Sequence, residues 1–174
     1  MEIDESTWPE KPYRWIVNDL RIGIDAKANY LVALGLFCYT EFMGREVLRF
    51  SQPNNKKINS NKYNKISFNL FLSDYMGYKS LVKTYGNKLY DWFRNGVSHE
   101  YHIKASHSGV FKSFKTGSEQ DFKKLGIDIS QGLIVKQKDK LPKNNLEIGF
   151  LIMEPYLKDF TKGIQKFLEE NKII

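Results

Sequence analysis

An arginine and a histidine stand five residues apart in the stretch Arg94-Asn95-Gly96-Val97-Ser98-His99-Glu100-Tyr101. Together they supply the two groups that phosphodiester chemistry asks for. Histidine titrates near pH ~6.5, so His99 suits proton transfer at neutral pH. Arginine stays protonated and offers a planar fork to two phosphate oxygens, so Arg94 suits holding the anion. The serine of Ser98-His99 has no acid at a telling spacing, which argues against a hydrolase triad. His99, His102 and His107 lie close together. With no His-x-x-x-His pair and a single cysteine, Cys38, they make a poor metal cage. No metal and no cofactor are expected.

Geometry constrains the pair. At 3.6 residues per turn, five residues rotate by roughly 500°, which leaves the two side chains about 140° apart on an unbroken helix. Two arrangements would unite them. The helix can stop at Asn95-Gly96, or a second copy related by two-fold symmetry can bring its own pair alongside. Asp91, one turn before Arg94, is a candidate hydrogen-bond acceptor for it.

The elements around the motif read as mainly helical. Residues 18–49 form one short helix joined to a long one, with Leu31, Leu34, Phe37/Cys38, Phe42 and Val47/Leu48 as the buried stripe. Cys38 falls on that stripe as a core residue. Residues 51–65, rich in asparagine and lysine, read as a flexible polar loop. Apolar spacing resumes at Phe68, Phe71, Leu72 and Tyr75 and stops at Gly77. A helix over 79–93 follows, lined by Leu81, Val82, Tyr85, Leu89, Trp92 and Phe93, and it runs through Gly86. Trp92 and Phe93 are read as buried rather than as platforms for bases. After His107 the pattern shortens, and 110–114, 127–129 and 133–135 are expected as small strands. Residues 142–145 read as a turn and 148–153 as extended. The last helix carries Tyr156, Phe160, Ile164 and Phe167/Leu168, with Pro155 in its first turn. The sum is a single domain over 1–174, mainly α, with a β-containing insertion at about 108–145 before the C-terminal helix.

The Arg94 to His99 stretch resembles the R-x(4–6)-H motif of the HEPN superfamily, including the polar residue directly after the arginine. With Tyr101 it is similar to the R-x-x-x-x-H-x-Y form of HEPN toxins that pair with small nucleotidyltransferase antitoxins. Leu89-Tyr90-Asp91-Trp92-Phe93 resembles the hydrophobic helix that leads into this motif. The resemblance implies a helical bundle, a homodimer with motifs facing each other, and a metal-independent ribonuclease. Its 2′-hydroxyl chemistry would leave a cyclic phosphate. On this chain His99 would be the general acid or base, Arg94 the phosphate holder and Asn95 an orienting group. Tyr101 would match the tyrosine that a partner enzyme adenylylates. The strands between 110 and 135 depart from the minimal toxin bundle. Toxin–antitoxin, defence and housekeeping roles therefore stay open. Some members of the superfamily do no catalysis, so a non-catalytic module binding a nucleotide or a protein is the alternative.

Charge and composition agree with a nucleic-acid partner. The formal net charge is +7. Residues 51–65 hold four lysines and no acid, and 104–143 hold nine lysines against four acids. Such a surface can track phosphates. No run approaches the roughly 18 apolar residues of a membrane span. The run at 30–39 is short and is followed at once by Glu41 and Arg45. The acidic start Met-Glu-Ile-Asp-Glu is unlike a secretory leader, so a cytoplasmic protein is expected.

Overall fold

The computed structural model describes residues 3–95, 112–138 and 146–174. Gly96, His99, Tyr101, His102, His107 and the turn expected at 142–145 lie outside them.

Helix α1, Trp15–Asp25, buries Ile16, Val17 and Leu20. It ends where Lys27 takes a left-handed φ of 55°, and α2, Asn29–Ser51, starts two residues later. The buried side of α2 is Val32, Ala33, Leu36, Phe37, Thr40, Glu41, Met43, Gly44 and Leu48. This corrects the expected stripe by about one residue of rotation. Leu31 is 68% exposed, and Leu34, Cys38 and Phe42 are half-buried.

Residues 56–59 and 61–63 form two tight 3-10 turns. The polar loop is therefore built, not shapeless, and Ile58 anchors it with 2% exposure. Helix α3, Asn64–Leu70, runs on in wider π turns over Phe71–Tyr75. It crosses α2 at Gly44, where an added Cβ would sit 1.8 Å from the Ser67 carbonyl oxygen. Only a residue without a side chain allows that approach. Helix α4 spans Lys79–Tyr85. The helix expected over 79–93 is broken at Gly86, whose φ of +53° is outside helical geometry. The next helix, α5, starts at Asn87–Leu89 and continues in π turns over Tyr90–Asn95.

Strands β1 (Lys112–Gly117), β2 (Leu133–Lys138) and β3 (Leu146–Ile152) make a three-stranded sheet of order β1-β3-β2. β1 is parallel to β3 and β2 antiparallel to it. Residues 127–129 form no strand; Ile127 and Ile129 instead pack on Phe122, Phe150 and Ile152. The short helix α6, Glu119–Lys124, opens with a reciprocal Ser118–Asp121 cap. The central strand β3 is covered on both faces: Phe150 and Ile152 face α6, and Leu151 joins the helical core. That is why 148–152 reads as a nearly continuous apolar run. The sheet thus reaches beyond the expected insertion boundary at 145.

The last helix, α7 (Met153–Glu170), buries Tyr156, Phe160, Ile164 and Phe167 at helical spacing, with Pro155 in its first turn as expected. The core centres on Phe37. Its ring lies 5.6 Å from Phe93, 5.7 Å from Tyr156 and 6.2 Å from Phe68. One side chain of α2 therefore meets α3, α5 and α7. The protein is mainly helical, with a small sheet immediately before its C-terminal helix. No helix among the described residues is long and apolar enough to cross a membrane.

Candidate functional site

Helix α5 is fixed by its apolar side. Leu89, Tyr90 and Phe93 are 0–3% exposed, and the Phe93 ring stacks on Phe37. Trp92 is half-buried and meets the Tyr85 ring edge-on. Arg94 follows Phe93 directly, so the packing of Phe93 sets where the guanidinium emerges. The chain reaches Arg94 and Asn95 in π turns.

The guanidinium meets a carboxylate that comes from the middle of α2. Arg94 Nε donates to Glu41 Oε2 at 2.8 Å. Glu41 is 6% exposed, and a buried carboxylate must be paired and hydrogen-bonded to persist. Its compensation is complete. Oε2 also accepts from the Tyr90 hydroxyl at 3.1 Å, and Oε1 accepts from Arg45 Nη2 at 2.9 Å. Arg45 also donates to Asn64 Oδ1 and, over a longer 3.4 Å, to the Ile58 carbonyl. The Arg94 guanidinium carbon lies 5.8 Å from the Tyr90 ring centroid. One buried carboxylate thus ties α2, the 52–63 loop, α3 and α5 together at Arg94.

Electrostatics follow the same geometry. Burial is the strongest single influence and works against the charge of Arg94, yet the Glu41 carboxylate together with Tyr90 and Cys38 outweighs it and holds the guanidinium above its ordinary pKa. Burial pushes the Cys38 thiol up, with nearby Arg94 only partly opposing. A thiol held protonated is a poor nucleophile. Burial likewise raises the Tyr90 hydroxyl, which stays a neutral donor to Glu41.

Of the residues expected from sequence, Arg94 sits in this network. The backbone of Asn95 closes the π turns. His99 and Tyr101 lie outside the described residues, as do His102 and His107. Asp91 bonds Lys65 Nζ at 2.7 Å, and Arg94 bonds the Glu41 carboxylate. Sequence reasoning missed Glu41, Arg45 and Tyr90 as members. The available signal was a glutamate inside an apolar helical run with an arginine four residues on, a spacing that puts both on one helix face.

Among the described residues no cluster of three histidine, cysteine or carboxylate side chains could hold a metal. A cleft of about 560 Å³ between the N-terminal segment, α1 and α7 is lined by Arg21, Asp25, Glu154, Lys158 and Lys162 among others, and does not include Arg94 or Glu41. Comparisons with family models, with curated proteins and with solved structures find no match to this chain.

Proposed function

We propose that the protein is a HEPN-type, metal-independent endoribonuclease acting as a homodimer, with Arg94 and His99 in a composite site. The observation that carries this reading is the clamped Arg94. A buried carboxylate fixes one edge of the guanidinium, which is how a phosphate-holding group is pre-organised. The helical bundle and the motif that follows α5 agree with it.

In the proposed reaction the RNA 2′-oxygen attacks the adjacent phosphorus. His99 moves protons: one leaves the 2′-hydroxyl and one reaches the departing 5′-oxygen. The products are a 2′,3′-cyclic phosphate end and a 5′-hydroxyl end. Arg94 neutralises the charge that grows on the phosphoryl oxygens, Asn95 orients groups beside it, and Glu41 positions Arg94. Tyr101 is placed as a substrate contact or as the acceptor of an adenylyl group from a nucleotidyltransferase antitoxin. A cytoplasmic location is part of the same reading.

The ion pair also favours a second reading, a non-catalytic module of the same fold that binds a nucleotide or a protein partner. There Arg94 serves to hold the Glu41 carboxylate. Cleavage of RNA in excess chelator, beside His99→Ala, separates the two. Cyclic phosphate ends from the wild type and none from the variant support the nuclease. A folded protein that cuts no RNA across a varied panel leaves the module.

A further inference from the structure

The 52–65 loop is the most strongly charged surface attached to the Arg94 network, and its build is more elaborate than a connector needs. Asn55 accepts from the Lys57 backbone N–H at 3.1 Å and donates to Gln52 Oε1 at 2.9 Å and to the Tyr63 hydroxyl at 3.0 Å. Ile58 is inserted into the protein. Arg49 donates to Asn59 Oδ1 at 2.7 Å, and Arg45 holds Ile58 and Asn64. Six polar contacts therefore fix the backbone from which the lysines project.

The charges themselves are uncompensated. From Val47 to Ser73 the chain contains no acid. Arg49 pairs with Glu46 and Lys65 with Asp91. Lys56, Lys57 and Lys62 are exposed and make no ion pair among the described residues. Three like charges on a rigid short loop repel one another, which is a cost that folding alone does not require. The loop is also contiguous with the site: Arg45 bridges Glu41 and the loop, and Glu41 bridges Arg45 and Arg94.

We infer that Lys56, Lys57 and Lys62 form a backbone-phosphate track that guides single-stranded RNA to Arg94. This rests on the ribonuclease reading for the identity of the polyanion. A rigid loop with no acid, whose one aromatic, Tyr63, is half-buried and bonded to Asn55, binds by charge, so the track is indifferent to base sequence. Its register relative to Arg94 is set by Arg45.

The test compares His99→Ala with a variant that adds Lys56→Ala, Lys57→Ala and Lys62→Ala, binding a labelled single-stranded RNA at several salt concentrations. Loss of three phosphate contacts is expected to weaken binding by about tenfold or more and to flatten the log–log salt dependence by about 2, at ~0.7 per contact for single strands. Arginine at the same three positions restores both. With His99 intact, the loss falls on KM more than on kcat. Unchanged affinity and salt slope in the alanine variant overturn the track, and so does failure of the parent to bind RNA. Loss of binding to phosphatidylserine vesicles with RNA binding unchanged makes the loop a membrane contact and overturns it as well. Binding that depends on the lysines in a wild type that never cleaves RNA supports the track and removes the nuclease reading instead.

Discussion

Arg94 Nε and Glu41 Oε2 lie 2.8 Å apart, a pairing that spans 53 residues of sequence and joins the helix bearing the motif to the longest helix of the bundle. The carboxylate end of the pair is 7% exposed and the guanidinium end 23%. Glu41 is held by Arg94, Arg45 and Tyr90 together, so the pair is anchored at its buried end.

Glu41→Ala is expected to be the most damaging change in the network. It leaves Arg45 and Arg94 partly buried without their carboxylate, a loss of about 3 kcal/mol at the lower end of values for broken buried pairs. Urea denaturation measures it. Glu41→Gln keeps the shape and a carbonyl acceptor, so it is expected to fall between Ala and wild type.

Arg94→Lys separates charge from geometry. A lysine still offers Glu41 a cation, so the melting temperature should move little. It lacks the planar fork, so on the proposed ribonuclease reading RNA cleavage is expected to drop by about 10² or more. Full activity in the lysine variant would reduce Arg94 to a point charge.

Gly44→Ala tests the crossing of α2 and α3. Its Cβ would lie 1.8 Å from the Ser67 carbonyl oxygen and 2.4 Å from the carbonyl carbon. Backbone cannot yield as a flexible side chain can. A loss of about 3 kcal/mol, or failure to fold, is expected in denaturant titration.

Tyr78→Phe should loosen the sheet from the bundle. The Tyr78 oxygen donates to Asp159 Oδ2 at 2.7 Å and accepts from the Gly132 and Leu133 N–H groups at 3.0 and 3.2 Å. Removing it takes a hydrogen bond from the Asp159 carboxylate and an acceptor from the Gly132 and Leu133 N–H groups, at a cost of about 2 kcal/mol. Amide hydrogen exchange at Gly132 and Leu133 is expected to accelerate ahead of that in α2.

Asp159 gives a pH dependence with a definite sign. Burial raises its pKa, with the Tyr78 hydroxyl and Lys162 and Lys158 pulling the other way. The folded chain then binds the proton more readily than the unfolded chain, whose aspartate titrates near ~3.9. At this residue stability is fully present below the unfolded value and is lost as pH rises through the raised folded one. Asp159→Asn should flatten the stability–pH curve in that window, measured by denaturation at a series of pH values.

The sequence was legible where one periodicity dominated. The spacing of Tyr156, Phe160, Ile164 and Phe167 located α7 and its buried face without ambiguity. On α2 two apolar stripes lie side by side, one through Leu31, Leu34 and Cys38 and one through Val32, Leu36 and Met43. Spacing alone cannot choose between them, because the choice belongs to α3 and α7, which pack on the second. The spacing of apolar residues runs straight through Gly86, because its left-handed φ is a tertiary outcome. The polar loop looked shapeless because its order comes from Asn55, Arg45 and Arg49, whose partners are remote in the pattern. Arg94 stands out in the sequence through the motif. Glu41 does not, since a single acid in an apolar helix acquires meaning only when its partner arrives from another helix.

The order of strands in the sheet bears on how the chain is made. β3 sits in the middle yet is the last of the three along the sequence, and it pairs with both of the others. During synthesis β1 and β2 emerge with no partner between them, as open edges that invite pairing with other chains. Tyr156, which meets Phe37 at the heart of the bundle, emerges later still. Neither layer can close until the C-terminal stretch has left the ribosome. A nascent chain stalled before residue 146 would therefore carry an unfinished core and an unfinished sheet, and it would be a substrate for chaperones.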